Sequence, residues 1–255
     1  MEWGELLLVG VAGGAAGLIN TVVGSGTLIT FPTLLAMGVP PVLANVSNCI
    51  GLAPGSFAGA LAGRTELVGQ RARILQYGSA SLVGAVVGAL LLLRLPSSAF
   101  DAIVPVLIGL GCLLVVVGPA LSRRVAVYRE RRGIATSAGH SPWWLWPVVV
   151  VTGAYGGYFG AAQGVLVIAV MGVALTETLA RVNGLKNVLT GIANGVAGVV
   201  FVLISDVDWA IVAALAVGSV LGAQAGARVG RRLPPKVYRV VIVLVGVTAI
   251  VNLLR

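Results

Sequence analysis

Apolar runs succeed one another along this chain with only short polar gaps between them. They fall at about 5–37, 42–63, 74–95, 99–121, 143–174, 178–204, 208–227 and 236–254. The uninterrupted runs hold roughly 19–27 residues each, enough as helices to cross a hydrocarbon core of about 30 Å. Outer-membrane barrels show ten-residue alternation of apolar and polar positions, which this chain lacks. The pattern predicts an all-α integral membrane protein with about eight spans.

The first and fifth runs are interrupted by glycine. One reads G-G-A-A-G-L-I-N-T-V-V-G-S-G-T from Gly13 and leads to A-N-V-S-N at Ala44 to Asn48. The other reads G-A-Y-G-G-Y-F-G-A-A-Q-G from Gly153 and leads to R-V-N-G-L-K-N at Arg181 to Asn187. A helix broken inside lipid leaves backbone amides and carbonyls without partners, so each break needs something to hold. The apolar arms after the breaks, Thr27 to Met37 and Val165 to Leu175, would reach about 16 Å, half the core.

Loop charges set the expected topology. Arg64, Arg71 and Arg73, then Arg123 to Arg132, then Arg228 to Lys236 mark cytoplasmic loops, with Asp101, Asp206 and Asp208 opposite. Under that assignment each interrupted run begins and ends on one face, as a hairpin. The expected fold is an inverted-repeat bundle, each half a broken or hairpin helix plus three transmembrane helices. The halves are 1–121 and 143–255, joined by a cytoplasmic linker at 122–142 that carries His140. Reading each interrupted run as a single crossing gives parallel repeats instead, against the charge bias. Leu43, Ala44, Val46, Gly55 and Gly59 match Leu179, Ala180, Val182, Gly191 and Gly195 at a shift of 136, whereas the breaks call for 138–140. That mismatch places a small gap between hairpin and helix.

Composition agrees: 58% of the 255 residues are hydrophobic and 10% charged, with mean hydropathy +1.03. The 36 glycines suit close helix packing in a bilayer. The net charge of +9 comes from short loops, so nucleic acid is not an expected partner. Glu2 and Glu5 precede the first run without a basic residue, unlike a secretory signal. Cys49 and Cys112 lie in apolar runs and are expected to be free, without metal-ligand spacing.

All eight acidic residues fall near span ends, leaving no deep carboxylate to carry a proton or bind a cation. Lys186 lies eight residues into its helix and either snorkels to the cytoplasmic surface or faces a wet cavity or an anion. Asn183, Asn187, Thr190 and Asn194 form one helical stripe beside it, suited to interhelical bonds or to a wet pathway. Gly24-Ser25-Gly26-Thr27 offers free amides, a serine placed to cap the next half-helix and that helix's positive end. Gln163-Gly164 is its counterpart, and Asn20 and Asn48 add polar groups nearby. Helix N-termini of this kind attract oxyanions, although the glycines also serve tight turns and packing.

These motifs, spread over nearly the whole length, resemble those of the sulfite exporter TauE/SafE family, also called the 4-toluene sulfonate uptake permeases. The resemblance implies a multi-pass carrier in the bacterial inner membrane for sulfite, sulfonates or related anions, and no enzyme. The substrate-binding residues expected from the residues themselves are Asn20, Ser25, Gly26, Thr27, Asn48, Gln163, Gly164, Asn183, Lys186, Asn187 and Thr190. The expected partners are a small anion and the lipid bilayer, with no cofactor. A proton or sodium coupling ion and a homodimer are left open, as are a membrane scaffold and an intramembrane enzyme as alternatives to a carrier. The charge pattern puts residue 255 outside: a C-terminal tag on intact spheroplasts should react with an impermeant reagent, and protection until lysis would reverse the topology.

Overall fold

The computed structural model describes residues 2–131, 142–175, 177–229 and 235–253. His140 and the rest of 132–141, in the expected linker, lie outside these residues. Among the described residues the chain forms ten α-helices and no strand. In order they are α1 (Trp3–Val22), α2 (Thr27–Ala36), α3 (Pro41–Ala62), α4 (Arg71–Arg94), α5 (Ser97–Arg131), α6 (Leu145–Tyr158), α7 (Gln163–Ala174), α8 (Leu179–Ile204), α9 (Trp209–Val229) and α10 (Pro235–Leu253). Five helical stretches are long and apolar enough to cross a membrane, in α1, α4, α5, α8 and α9. Helix α3 matches them in length but carries Asn45, Ser47 and Asn48, all buried. Both interrupted runs are broken as expected, α1 from α2 and α6 from α7. Helix α5 continues through 122–131, into the stretch expected as linker.

Glycine sets how closely these helices approach. On α1, Gly13 faces Leu215 and Gly17 faces Ser219 of α9, while Gly226 of α9 faces Leu18. A Cβ at Gly13 would stand 2.9 Å from the Leu215 carbonyl oxygen, and one at Gly17 2.8 Å from the Ser219 Cα. The partner pair α4–α6 repeats this arrangement, with Gly153 facing Ser81 and Gly157 facing Ala85. Lipid offers no hydrophobic gain for helix association, so backbone-to-backbone contact of this kind supplies the dispersion that holds the pairs.

The same contacts give direction. Residue numbers rise together along α1 and α9, along α3 and α9 (Gly51 with Leu215, Gly55 with Ser219), and along α4 and α6. Helices α4 and α8 also run in the same sense, Gln70 meeting Arg181 and Ser81 meeting Leu189. Helices α1 and α3 therefore start on one face and α6 and α8 on one face, so each broken segment turns back on itself. Helices α3 and α8 run oppositely, Gly59 facing Asn187 and Ile50 facing Gly198.

The two parts of the chain interlace. Helix α1 packs chiefly on α9 and α4 chiefly on α6, while α3 and α8 pack on each other and α2 and α7 pack on α10 and α5. Exchanging the halves maps these pairs onto one another: α1–α9 onto α6–α4, α3–α9 onto α8–α4, α2–α10 onto α7–α5.

One asymmetry is exact in register. Gly24 and Gly160, 136 residues apart, both take left-handed φ (87° and 74°) and end their helices, donating to the carbonyls of Ile19 and Tyr155. Only glycine takes that conformation freely. The packing glycines Gly17 and Gly157 are 140 apart, so six residues separate Gly17 from Gly24 where two separate Gly157 from Gly160. The gap expected between hairpin and helix therefore lies inside the first helix. It is about one helical turn, present in α1 and missing from α6.

Replacing Gly17 by leucine should wedge α1 from α9 and cost about 1–3 kcal/mol or more. Thermal unfolding in detergent should show a clear fall in Tm, with Gly4→Leu, which meets nothing within 4 Å, as control. Equal Tm for both variants would contradict the packing account.

Candidate functional site at the crossed breaks

The two breaks meet. The Gly164 N–H donates to the Gly24 carbonyl at 3.0 Å, and a Cβ on Gly24 would lie 2.5 Å from the Gly164 Cα. Lys186 fills the third side, its Cδ 3.2 Å from a Cβ placed on Gly24 and 2.9 Å from one on Gly164. It is fully buried, so it does not snorkel. Its Nζ donates to the carbonyls of Asn20 (2.6 Å) and Thr21 (3.1 Å), in the extra turn of α1. Those carbonyls belong to the last turn of a broken helix and have no acceptor role within it, and the negative end of the α1 dipole attracts the ammonium. Asn183 supports the same turn, donating from Nδ2 to the Thr21 carbonyl at 3.2 Å.

Charge balance is the distinctive property of this place. An ammonium has three donors, and two are used on carbonyls. The ion pairs among the described residues all belong to Glu177, which holds Arg73 and Arg181 (2.6 Å). Lys186 thus carries its charge without a carboxylate partner among the described residues.

On the two breaks and on α8 lie polar atoms that the fold leaves unpaired. Ser25 Oγ, Gln163 Nε2, Asn183 Oδ1 and Asn187 Oδ1 are buried without hydrogen-bond partners. Ser25 does not cap α2 as expected: the N-cap position falls on Gly26, with no side-chain cap. The helix begins one residue later than a serine cap would need. Gln163 opens α7 after Ala162, a non-glycine residue with left-handed φ of 58°. Tyr155, which the sequence did not single out, steadies that loop by donating to the Ala161 carbonyl at 2.6 Å.

Other expected residues are committed elsewhere. Asn48 is buried between α2 and α3, donating to Thr27 Oγ1 at 3.2 Å and accepting from the Thr30 hydroxyl. Asn20 donates to Ser56 Oγ at 3.0 Å. Thr190 returns its hydroxyl to the carbonyl of Lys186 at 3.0 Å. Gly26 packs where a Cβ would stand 2.7 Å from the Ala16 carbonyl oxygen, so it serves close approach. Asn45 spans the halves, donating from Nδ2 to the Tyr158 carbonyl at the broken end of α6 at 2.9 Å. A polar residue in an apolar helix was the only sequence sign of that role. Both cysteines are free and buried.

The surroundings differ on the two sides of the crossing. Beyond α2 and the end of α6, Phe31, Phe100 and Phe159 pack edge to face, the closest pair 5.0 Å apart at 89°. Near the C-terminal ends of α3 and α9, a cavity of about 230 Å³ is bordered by Thr21, Gly59, Glu66, Asn183 and Asn187.

Paired discontinuous helices meeting inside an apolar bundle are a plan that many membrane transporters share, and this chain belongs to a membrane-transporter family. The chain belongs to the sulfite exporter TauE/SafE family, whose pattern it matches over residues 9–253. It is 27% identical over 247 residues to the "Probable membrane transporter protein YfcA" of Escherichia coli strain K12, covering 94% of this chain and 86% of that one. The proteins of the same description from strains CFT073 and O157:H7 match equally. No solved structure matches.

Glu177, at the joint between α7 and α8, ties both to α4. Burial alone would raise its carboxyl, but the hydrogen bonds and charges of Arg73 and Arg181 outweigh this and hold it below its usual range. A depressed carboxyl stabilises above its unfolded value of about 4.3 and loses that contribution as pH falls through the folded one. Glu177→Gln should therefore lower Tm at pH 7, and the gap to wild type should close below about pH 4. A gap independent of pH would assign the effect to packing.

Proposed function

We propose that this protein is a secondary transporter of a small anion, sulfite, an organosulfonate or a related sulfur-containing anion, across the bacterial inner membrane. The observation that carries this reading is Lys186: buried, without a carboxylate partner among the described residues, and in contact with both breaks. A buried charge is tolerated when hydrogen bonds and an opposite charge answer it. The α1 carbonyls supply the first; a transported anion would supply the second.

In this reading the anion docks at the crossing. Ser25 Oγ–H, Gln163 Nε2–H and the Thr27 amide that opens α2 donate to its oxygens, and Lys186 lends positive potential. Asn183 and Asn187 orient it from α8, and Asn20 and Thr27 fix the break from α1 and α2.

Transport follows by alternating access between two halves of inverted topology. The antiparallel run of α3 and α8 and the exchange of packing partners support that symmetry. Because the strongest packing joins helices of opposite halves, the moving bodies are mixed sets such as α1 with α9 and α4 with α6, not the sequence halves. The aromatic cluster on one side and the polar cavity on the other fit a conformer closed outward and recessed toward the cytoplasm.

Purified protein in liposomes should take up sulfite or a short organosulfonate, and Lys186→Met should abolish that uptake with near-normal expression. Unchanged uptake by the methionine variant would overturn the role given to Lys186.

A further inference from the structure

Both broken helices end in partial negative charge. At α1 a cation meets it, the Lys186 ammonium on the carbonyls of Asn20 and Thr21. At α6 no charged side chain stands in the equivalent place. The shift of 136 that carries Gly24 onto Gly160 carries Ile50 onto Lys186, and α3 holds no charged residue at all.

Acceptor oxygens gather at that end without donors. The Phe159 and Gly160 N–H groups both donate to the Tyr155 carbonyl, at 3.0 and 2.9 Å. The carbonyls of Gly156 and Gly157 are thereby left without a hydrogen bond among the described residues. Asn45 is fully buried and gives its Nδ2 to the Tyr158 carbonyl. That bond fixes the amide, because the flipped form would set oxygen against oxygen. Its Oδ1 stays at the same helix end, buried and without a partner. Asn194 of α8 adds another acceptor at 6% exposure. Its Oδ1 lies 3.8 Å from a Cβ placed on Gly160, and the Gly156 carbonyl oxygen lies 3.0 Å from the same point. Glycine at 160 leaves that space open.

These oxygens are hard, uncharged ligands at the negative end of a half-helix, the donor set that suits an alkali cation. A divalent cation would call for carboxylates, and α3, α6, α8 and the break between α6 and α7 carry none. Gln163 joins this place to the crossing. Its amide rests on Gly156, with Oε1 2.5 Å and Nε2 2.3 Å from a Cβ placed there. With Nε2 turned to an anion, Oε1 is left for a cation, so each ion orders the amide for the other.

We propose that the end of α6 binds a monovalent alkali cation, held by Asn45, Asn194, Gln163 and the carbonyls of Gly156 and Gly157, and that this cation is coupled to the anion. The coupling rests on the anion-transport reading; the cation site stands on its own oxygens. Each ion then raises the other's affinity by the same factor.

Binding and transport are measured separately on the full chain. In detergent, thermal stability is titrated with sodium, potassium and choline chlorides at one ionic strength, with and without methanesulfonate. Sodium or potassium should stabilise wild type saturably where choline does not, and should tighten methanesulfonate binding at least fivefold. Asn45→Ala and Asn194→Ala should each weaken the alkali cation at least tenfold. In crystals of wild type, thallium(I), a heavy stand-in for alkali cations, should give an anomalous peak at the end of α6; this locates the site even if both variants misfold. Alkali cations acting no differently from choline, folded variants within twofold of wild type, or thallium found only elsewhere would overturn the site. In liposomes, anion uptake that is equal in alkali cation and in choline would remove the coupling and leave the transport reading intact. Cation binding with the stated losses, in a protein that moves no anion, would keep the site and remove the transport reading.

Discussion

A helix that stops inside a membrane leaves carbonyls at its end and amides at the start of the next one, and lipid cannot satisfy either. This chain stops two helices there, and most of its polar interior answers that one constraint. Each broken end is met by the polar opening of the long helix from the other half. Asn45 of α3 reaches the end of α6, and Asn183 and Lys186 of α8 reach the end of α1. The breaks also satisfy each other, through the bond from Gly164 to Gly24. Interlacing of the halves is the structural result, because neither half could close its own break.

The two ends are not met equally, and the difference bears on function. A neutral amide meets α6. Helix α1 runs one turn further and is met by an ammonium at full burial. A neutral donor could have filled the same hydrogen bonds at lower desolvation cost. Retaining a charge there makes the crossing positive, which is what the proposed anion would meet in a site otherwise made of glycine and short polar side chains. The acid–base link at Glu177, by contrast, stays at the end of the bundle, where Arg73 and Arg181 neutralise it.

Much of this was legible in the residues. The apolar runs gave the helices because lipid requires continuous apolar length, and Gly24 and Gly160 marked the breaks because only glycine relaxes into left-handed backbone. Lys186 stood out because a charge amid apolar neighbours needs an answer. Its acceptors were not legible: Asn20 and Thr21 lie more than 160 residues away, and no local rule links a lysine to carbonyls that far along the chain. The extra turn was misplaced because glycine repeats at packing positions and at breaks look alike in sequence, although one kind follows contact and the other follows φ. Asn48 read as a substrate ligand, yet its amide is consumed by Thr27 and Thr30, which pattern alone could not pair with it.

The central claim is that the crossed breaks hold an anion beside Lys186. Selenate or selenite, heavier analogues of sulfur oxyanions, would locate it directly by anomalous scattering from crystals of the full chain. The account predicts a selenium peak between the breaks, one Se–O bond beyond oxygens that lie about 2.7–2.9 Å from Lys186 Nζ or from the donors at Ser25 and Gln163. Peaks confined to the protein exterior, with Lys186 still bound only to the carbonyls of Asn20 and Thr21, would contradict it.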